Sequence, residues 1–105
     1  MNKIVIKKRI SLDFLGEDYK EAYLEFKAIP MSKYQDYIER SEVNKDAKTA
    51  IPFIIDTLKD LFISGKFPDE KGELFDLTKE DIGELDIEAT IRPFKILTGQ
   101  DQSPN

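Results

Sequence analysis

Thr49-Ala-Ile-Pro-Phe-Ile-Ile-Asp-Thr-Leu-Lys-Asp-Leu-Phe-Ile-Ser-Gly65 decides how the chain folds. Within it Ile51, Ile54, Ile55, Leu58, Leu61 and Phe62 recur at helical spacing and form one apolar stripe. This predicts the strongest helix of the protein, with Gly65 as its stop signal. With Thr49 as N-cap, Pro52 falls in the first turn. The N–H groups there lack intrahelical partners, so a proline costs little.

Upstream, the pattern changes to a period of two. Lys3–Lys7 is rich in β-branched residues, and Ile10, Leu12 and Phe14 then alternate with Ser11 and Asp13. Gly16-Glu17-Asp18 supplies turn chemistry. Leu24, Phe26 and Ala28 alternate with Tyr23, Glu25 and Lys27. The expectation is an antiparallel hairpin, roughly 3–14 with 22–29, although Asp18–Phe26 also admits a helical reading. Pro30 closes the segment. Ser32 and Gln35 form a capping-box signature for a short helix from 32 to about 41, with Tyr34, Tyr37 and Ile38 on one face. Glu42–Lys48 reads as a polar loop.

Downstream, Phe67–Gly72 is a turn-rich connector, followed by Leu74, Phe75 and Leu77. Thr78 suits the N-cap of a short helix to about Leu85. Asp86 suits the N-cap of a last helix through about Leu97, closed by Gly99 and kinked or restarted near Pro93. Thr49–Phe53 and Thr90–Phe94 share a T-x-x-P-F pattern, read as recurrent capping chemistry rather than a repeat. Residues 100–105 have nothing to bury and are expected to be disordered.

These elements define an α+β fold, mostly helical, with an N-terminal antiparallel β-hairpin packed against three to four α-helices in one domain, 1–99. The expected core is Ile10, Leu12, Phe14, Leu24, Phe26, Ile51, Ile54, Ile55, Leu58, Leu61, Phe62, Leu85, Ile91, Phe94 and Leu97.

Composition narrows the chemistry. The 105 residues include no Cys, His or Trp. That removes disulfides, thiol nucleophiles, zinc ribbons and any imidazole base. No serine sits in a G-x-S-x-G elbow, and the five glycines are scattered, without a phosphate-binding loop. Asp69-Glu70-Lys71-Gly72-Glu73 fails as a calcium loop because Phe67 falls where the first ligand belongs. Carboxylate pairs such as Asp81 with Glu84 are expected by chance among 21 acids. No catalytic residue, metal or cofactor is expected. No apolar run approaches a signal or a membrane span, so the chain reads as soluble and cytoplasmic.

The formal charge of −5 hides a polarity. Residues 1–10 carry +4 and residues 69–88 carry −7. The acidic stretch is either a solvated surface or a patch for a basic partner. The basic cluster at 3–9 is too small for nucleic-acid binding and suits an edge strand. For partner binding the candidates are Tyr34, Tyr37 and Ile38, unless they cover the hairpin, together with Ile55 and Phe62 from the long stripe.

Three segments resemble the small tail assembly chaperones of long-tailed phages and prophages of Gram-positive bacteria. They are the Lys-rich β segment ending Ile10-Ser-Leu-Asp-Phe14; the helix Ile51–Phe62 followed by Ser64-Gly-Lys-Phe-Pro68; and Leu77-Thr-Lys-Glu-Asp-Ile82 leading to a helix closed by Leu97-Thr-Gly99. The resemblance implies a non-enzymatic protein that holds the helical tape-measure protein soluble until the tail tube polymerises around it. It implies helical tape-measure segments as partner; the chain itself, as an oligomer, is a further candidate partner, and charge and the short apolar runs give no expectation of nucleic acid or membrane. It also implies a longer form made by ribosomal frameshifting near the end of the reading frame. The alternative is a small acidic inhibitor or DNA mimic that binds a basic host protein. A carboxylate-based hydrolase ranks last.

Overall fold

The computed structural model describes residues 5–43 and 46–99. Strand β1 (Lys7–Ser11) pairs antiparallel with β2 (Tyr23–Lys27), from Lys7 opposite Lys27 to Ser11 opposite Tyr23. The N-terminal hairpin is therefore present, in a shorter form. Its expected start at residue 3 lies outside the described residues. The alternation Ile10-Leu12-Phe14 does not continue as strand, because Asp13–Leu15 and Glu17–Tyr19 wind into 3₁₀ turns around Gly16. Leu12 still donates its N–H to the Ala22 carbonyl, which carries the ladder one step past β1. In β2, Leu24 and Phe26 are fully buried while Tyr23, Glu25 and Lys27 face outward to differing degrees, as period two requires.

Helix α1 (Met31–Val43) starts earlier and ends later than its sequence signals imply. Ser32 lies inside the first turn rather than at the cap, and Gln35 Nε2 donates along the helix to Glu39 Oε1 at 3.2 Å. Helix α2 (Ala47–Leu61) begins at Asp46 as N-cap, not Thr49. The Thr49 hydroxyl donates back to the Asp46 carbonyl at 3.1 Å, and Pro52 sits beyond the first turn, exposed.

The main correction concerns the end of the deciding stretch. The helix stops at Leu61, and Phe62 turns directly into strand β3 (Phe62–Pro68), with Gly65 in the middle of that strand. Phe62 satisfies the helical stripe and equally opens a β-rich run, so periodicity alone could not place the boundary. Strand β3 pairs with β2, and Ile63 forms an irregularity in the register between Glu25–Ser64 and Phe26–Phe62. Strand β4 (Leu74–Asp76) completes a four-stranded antiparallel sheet in the order β1-β2-β3-β4. The β3–β4 turn is built by Asp69, whose Oδ1 accepts from the N–H of Lys71 (2.8 Å) and of Glu73 (3.0 Å).

The Thr78 segment forms a 3₁₀ helix, Lys79–Glu84, with the Asp81 carboxylate accepting from both the N–H and the hydroxyl of Thr78. Helix α3 (Ile87–Leu97) is capped by Asp86 and followed by Gly99 at φ +75°, as expected from sequence. It runs unbroken through buried Pro93 rather than restarting at Thr90. The core lies between the sheet and α2 with α3. Ile10, Leu12, Leu24, Phe26, Leu58, Leu61, Phe94 and Leu97 are buried as expected. Ala22, Phe53, Leu77 and Ile82 join them without having been anticipated. Ile51 does not: it is 45% exposed. The expected disorder of residues 100–105 lies outside the described residues.

Candidate functional site

The five candidate residues do not form one surface. Tyr34 on α1 donates its hydroxyl to the Thr98 carbonyl at the end of α3, so it anchors α1 to the body. Tyr37 packs against the core near α2, where Arg40, Phe53, Asp56, Thr57 and Asp60 line the same shallow cavity. Ile38 is half-buried on α1. Phe62 packs edge-on against Phe26, with ring centroids 6.1 Å apart, and belongs to the sheet–helix core. Only Ile55 lines an open groove.

Burial raises the Tyr37 phenol above its ordinary 10.0, the nearby Asp60 carboxylate adds to this, and Arg40 opposes it. The folded state therefore holds this proton more tightly than the unfolded chain. Its contribution is complete below pH 10.0 and is lost as pH rises through the folded value. Ultraviolet titration of phenolate should show one late-titrating tyrosine, absent in Tyr37→Phe. The same substitution should flatten the alkaline fall in stability measured by urea unfolding. An unchanged titration curve would exclude the burial of Tyr37.

The open groove is built by two helices. Ile51, Ile54 and Ile55 of α2 face Ile87 and Ile91 of α3 across a cavity of about 200 Å³ floored by Ile82 and Leu85. Ile87 is 57% exposed. A second hollow of about 450 Å³ continues from Ile87 and Ile91 toward Phe14, Arg92 and Lys95. Each helix commits its inner face to the core: Phe53, Leu58 and Leu61 on α2, and Ala89, Phe94 and Leu97 on α3. Ile54 still packs against that core, as expected, while Ile51, Ile55, Ile87 and Ile91 lie on the shoulder left over. Among the described residues, Thr90 is the one polar side chain lining the smaller cavity, and its hydroxyl is donated to the Ile87 carbonyl at 3.0 Å.

The other buried threonines are satisfied in the same way. Thr57 donates to the Phe53 carbonyl and Thr98 to the Phe94 carbonyl. Among the described residues no buried side-chain polar atom lacks a partner, and no cluster of acids could hold a metal ion. The smaller cavity is lined mainly by apolar side chains, and the larger hollow adds Glu88, Arg92 and Lys95. Several acids of the 69–88 stretch have local roles: Asp69 builds a turn, Asp76 pairs with Lys66 at 3.5 Å, and Asp81 and Asp86 stabilise helix starts. These roles account for them without a basic partner.

Sequence reasoning assigned Ile51, Ile54, Ile55 and Ile91 to the core and passed over Ile87. The signal was present as a shared spacing, Ile-x₃-Ile-x₃-Lys, at 51, 55, 59 and again at 87, 91, 95. Among the described residues no helix is long and apolar enough to cross a membrane. Comparisons with protein-family models, curated proteins and solved structures give no match.

Proposed function

We propose that this chain is a non-enzymatic binding protein whose working surface is the isoleucine groove between α2 and α3. The supporting observation is that Ile51, Ile54, Ile55, Ile87 and Ile91 line a concave surface floored by Ile82, with Ile51 and Ile87 substantially exposed. A contiguous apolar surface of this kind suits a partner helix laid along it. Each large apolar side chain moved from water into such a groove gains about 1.5–3 kcal/mol when fully covered. Docking and ordering costs consume much of that gain, so one groove gives reversible binding, on the order of micromolar.

More particularly, we propose a tail assembly chaperone of long-tailed phages, acting in the host cytoplasm on helical segments of the tape-measure protein. The three resembling segments map onto β1, onto α2 with β3, and onto the path from β4 to α3. A chaperone must release its client to the polymerising tube, and modest affinity per groove suits that. A longer frameshifted form belongs to the same reading. The first check is the gene neighbourhood, which should hold a long helical reading frame downstream. Co-expression with that protein should raise its soluble fraction, and the two should co-purify. Unchanged solubility with no co-purification would overturn the proposal.

A further inference from the structure

The groove's rims carry a charge opposite to that of the chain as a whole. On α2, half-buried Lys59 lies one turn beyond Ile55, and exposed Lys48 lies seven residues before it, so helical spacing sets both lysines beside Ile55. On α3, Lys95 lies one turn beyond Ile91 and, with Arg92, lines the larger hollow. The Arg92 guanidinium sits 4.7 Å from the centroid of the Phe14 ring, which holds it beside the apolar floor. Among the described residues, Glu88 is the one acid lining either part of the groove. Among the described residues the ion pairs are Arg9–Glu25, Lys20–Glu17, Arg40–Asp36 and Lys66–Asp76, so none uses Lys48, Lys59, Arg92 or Lys95.

We infer that the groove takes an amphipathic helix whose apolar stripe is bordered by carboxylates. This rests on the groove being the working surface proposed above, and it specifies the partner's chemistry. The isoleucines bury the stripe, while Lys48 and Lys59 on one rim and Arg92 and Lys95 on the other meet the acidic borders. A second copy of this chain is a poor occupant. A two-fold contact through the groove would bring the basic side chains of both copies into one interface. An anionic membrane is also a poor occupant, because the groove is concave and the chain's net charge of −5 opposes approach.

Three labelled helical peptides of about 20 residues test this, long enough to hold a helix in water. They share one leucine stripe and differ only in Glu, Gln or Lys borders. Fluorescence anisotropy with the full chain at low salt should rank them Glu, Gln, Lys. The Glu peptide should bind about ten-fold more tightly than the Lys peptide, as two or more exposed ion pairs allow. The gap should narrow at about 0.5 M salt, where screening is short-ranged. The variant K59E/K95E should reverse the ranking, and I55S/I91S should weaken all three peptides while keeping their order. Equal binding, a preference for Lys borders, or no binding of any peptide overturns the inference. So does binding to phosphatidylglycerol vesicles that the Glu peptide fails to displace. Failure here with successful tape-measure co-expression would leave the chaperone reading intact. The expected ranking with failed co-expression would remove the chaperone reading and keep the acidic-helix partner.

Discussion

Phe26→Ala will destabilise the protein by about 3–5 kcal/mol, as removal of a fully buried phenylalanine does elsewhere. Phe26 is fully enclosed on β2, between β1 and β3. Its ring meets Phe62 edge-on at an interplanar angle of 73°, just where the β2–β3 register is irregular. The site cannot collapse easily. Two neighbouring strands fix the backbone on either side, and the ring's own partner sits at the start of β3, fixed by the end of α2. Truncation therefore leaves a cavity as well as losing the transfer energy. Domains of this size hold only about 5–15 kcal/mol in total. The midpoint of thermal unfolding should fall by at least about 12 °C, at roughly 4 °C per kcal/mol. Circular dichroism melts and urea titration both read this out. Phe75→Ala on edge strand β4 is the control. Phe75 is 42% exposed, and its loss should cost under about 1 kcal/mol. Similar costs for the two substitutions would mean that the core does not lie between the sheet and the helices.

The hairpin, α2 and α3 were readable in the sequence because each obeys one period, and α3 has clear punctuation as well. Leu24 and Phe26 alternate with polar neighbours. Asp86 and Gly99 bracket α3 with a cap at one end and a left-handed glycine at the other. β3 was hidden because Phe62 fits two periods at once, and because a glycine past a helix looks like a stop. β4 was hidden because Leu74-Phe75-Asp76 is too short to show alternation. The groove was hidden for a different reason. Ile51, Ile54, Ile55 and Ile91 have the residue type and the spacing of a core stripe, and only the width of the stripe distinguishes them. On α2 the apolar residues span more arc than the sheet can cover once the helix ends at Leu61. The surplus faces α3, whose own surplus at Ile87 and Ile91 meets it. Tyr34 shows the converse. It was a candidate anchor for a partner, and its hydroxyl is instead bonded to the Thr98 carbonyl.

Gly65→Ala should destabilise by about 1–3 kcal/mol, the usual cost of forcing one carbon into a packed site, and Gly65→Val by more. A Cβ at Gly65 would stand 2.9 Å from the Tyr23 carbonyl oxygen, 3.0 Å from Leu24 Cδ2 and 3.2 Å from Leu77 Cδ1. The two leucine methyls can give way by rotation, but the Tyr23 oxygen is backbone, held within the β2–β3 pairing. The Gly65 carbonyl in turn accepts from the Leu77 N–H at 2.9 Å, which carries the β3–β4 ladder one step further and sets Leu77 beside Gly65. Gly65 is absent from the glycines with positive φ, which are Gly16, Gly72 and Gly99. Space, rather than backbone conformation, therefore excludes a side chain here. That separates the strand from a helix stop. A helix-terminating glycine would oppose alanine through its left-handed φ and would be indifferent to Leu77. In the strand, Leu77→Ala should relieve part of the Gly65→Ala penalty, with a coupling of at least about 0.5 kcal/mol in a double-mutant cycle read by urea unfolding. Relief should stay incomplete because the Tyr23 oxygen remains. Gly83→Ala provides the reference: its Cβ would meet nothing within 4 Å, and the change should be neutral or stabilising by about 0.4–1 kcal/mol. If Gly65→Ala proved as mild as Gly83→Ala, with no coupling to Leu77, β3 could not run beside Tyr23 and the sheet would end at the hairpin.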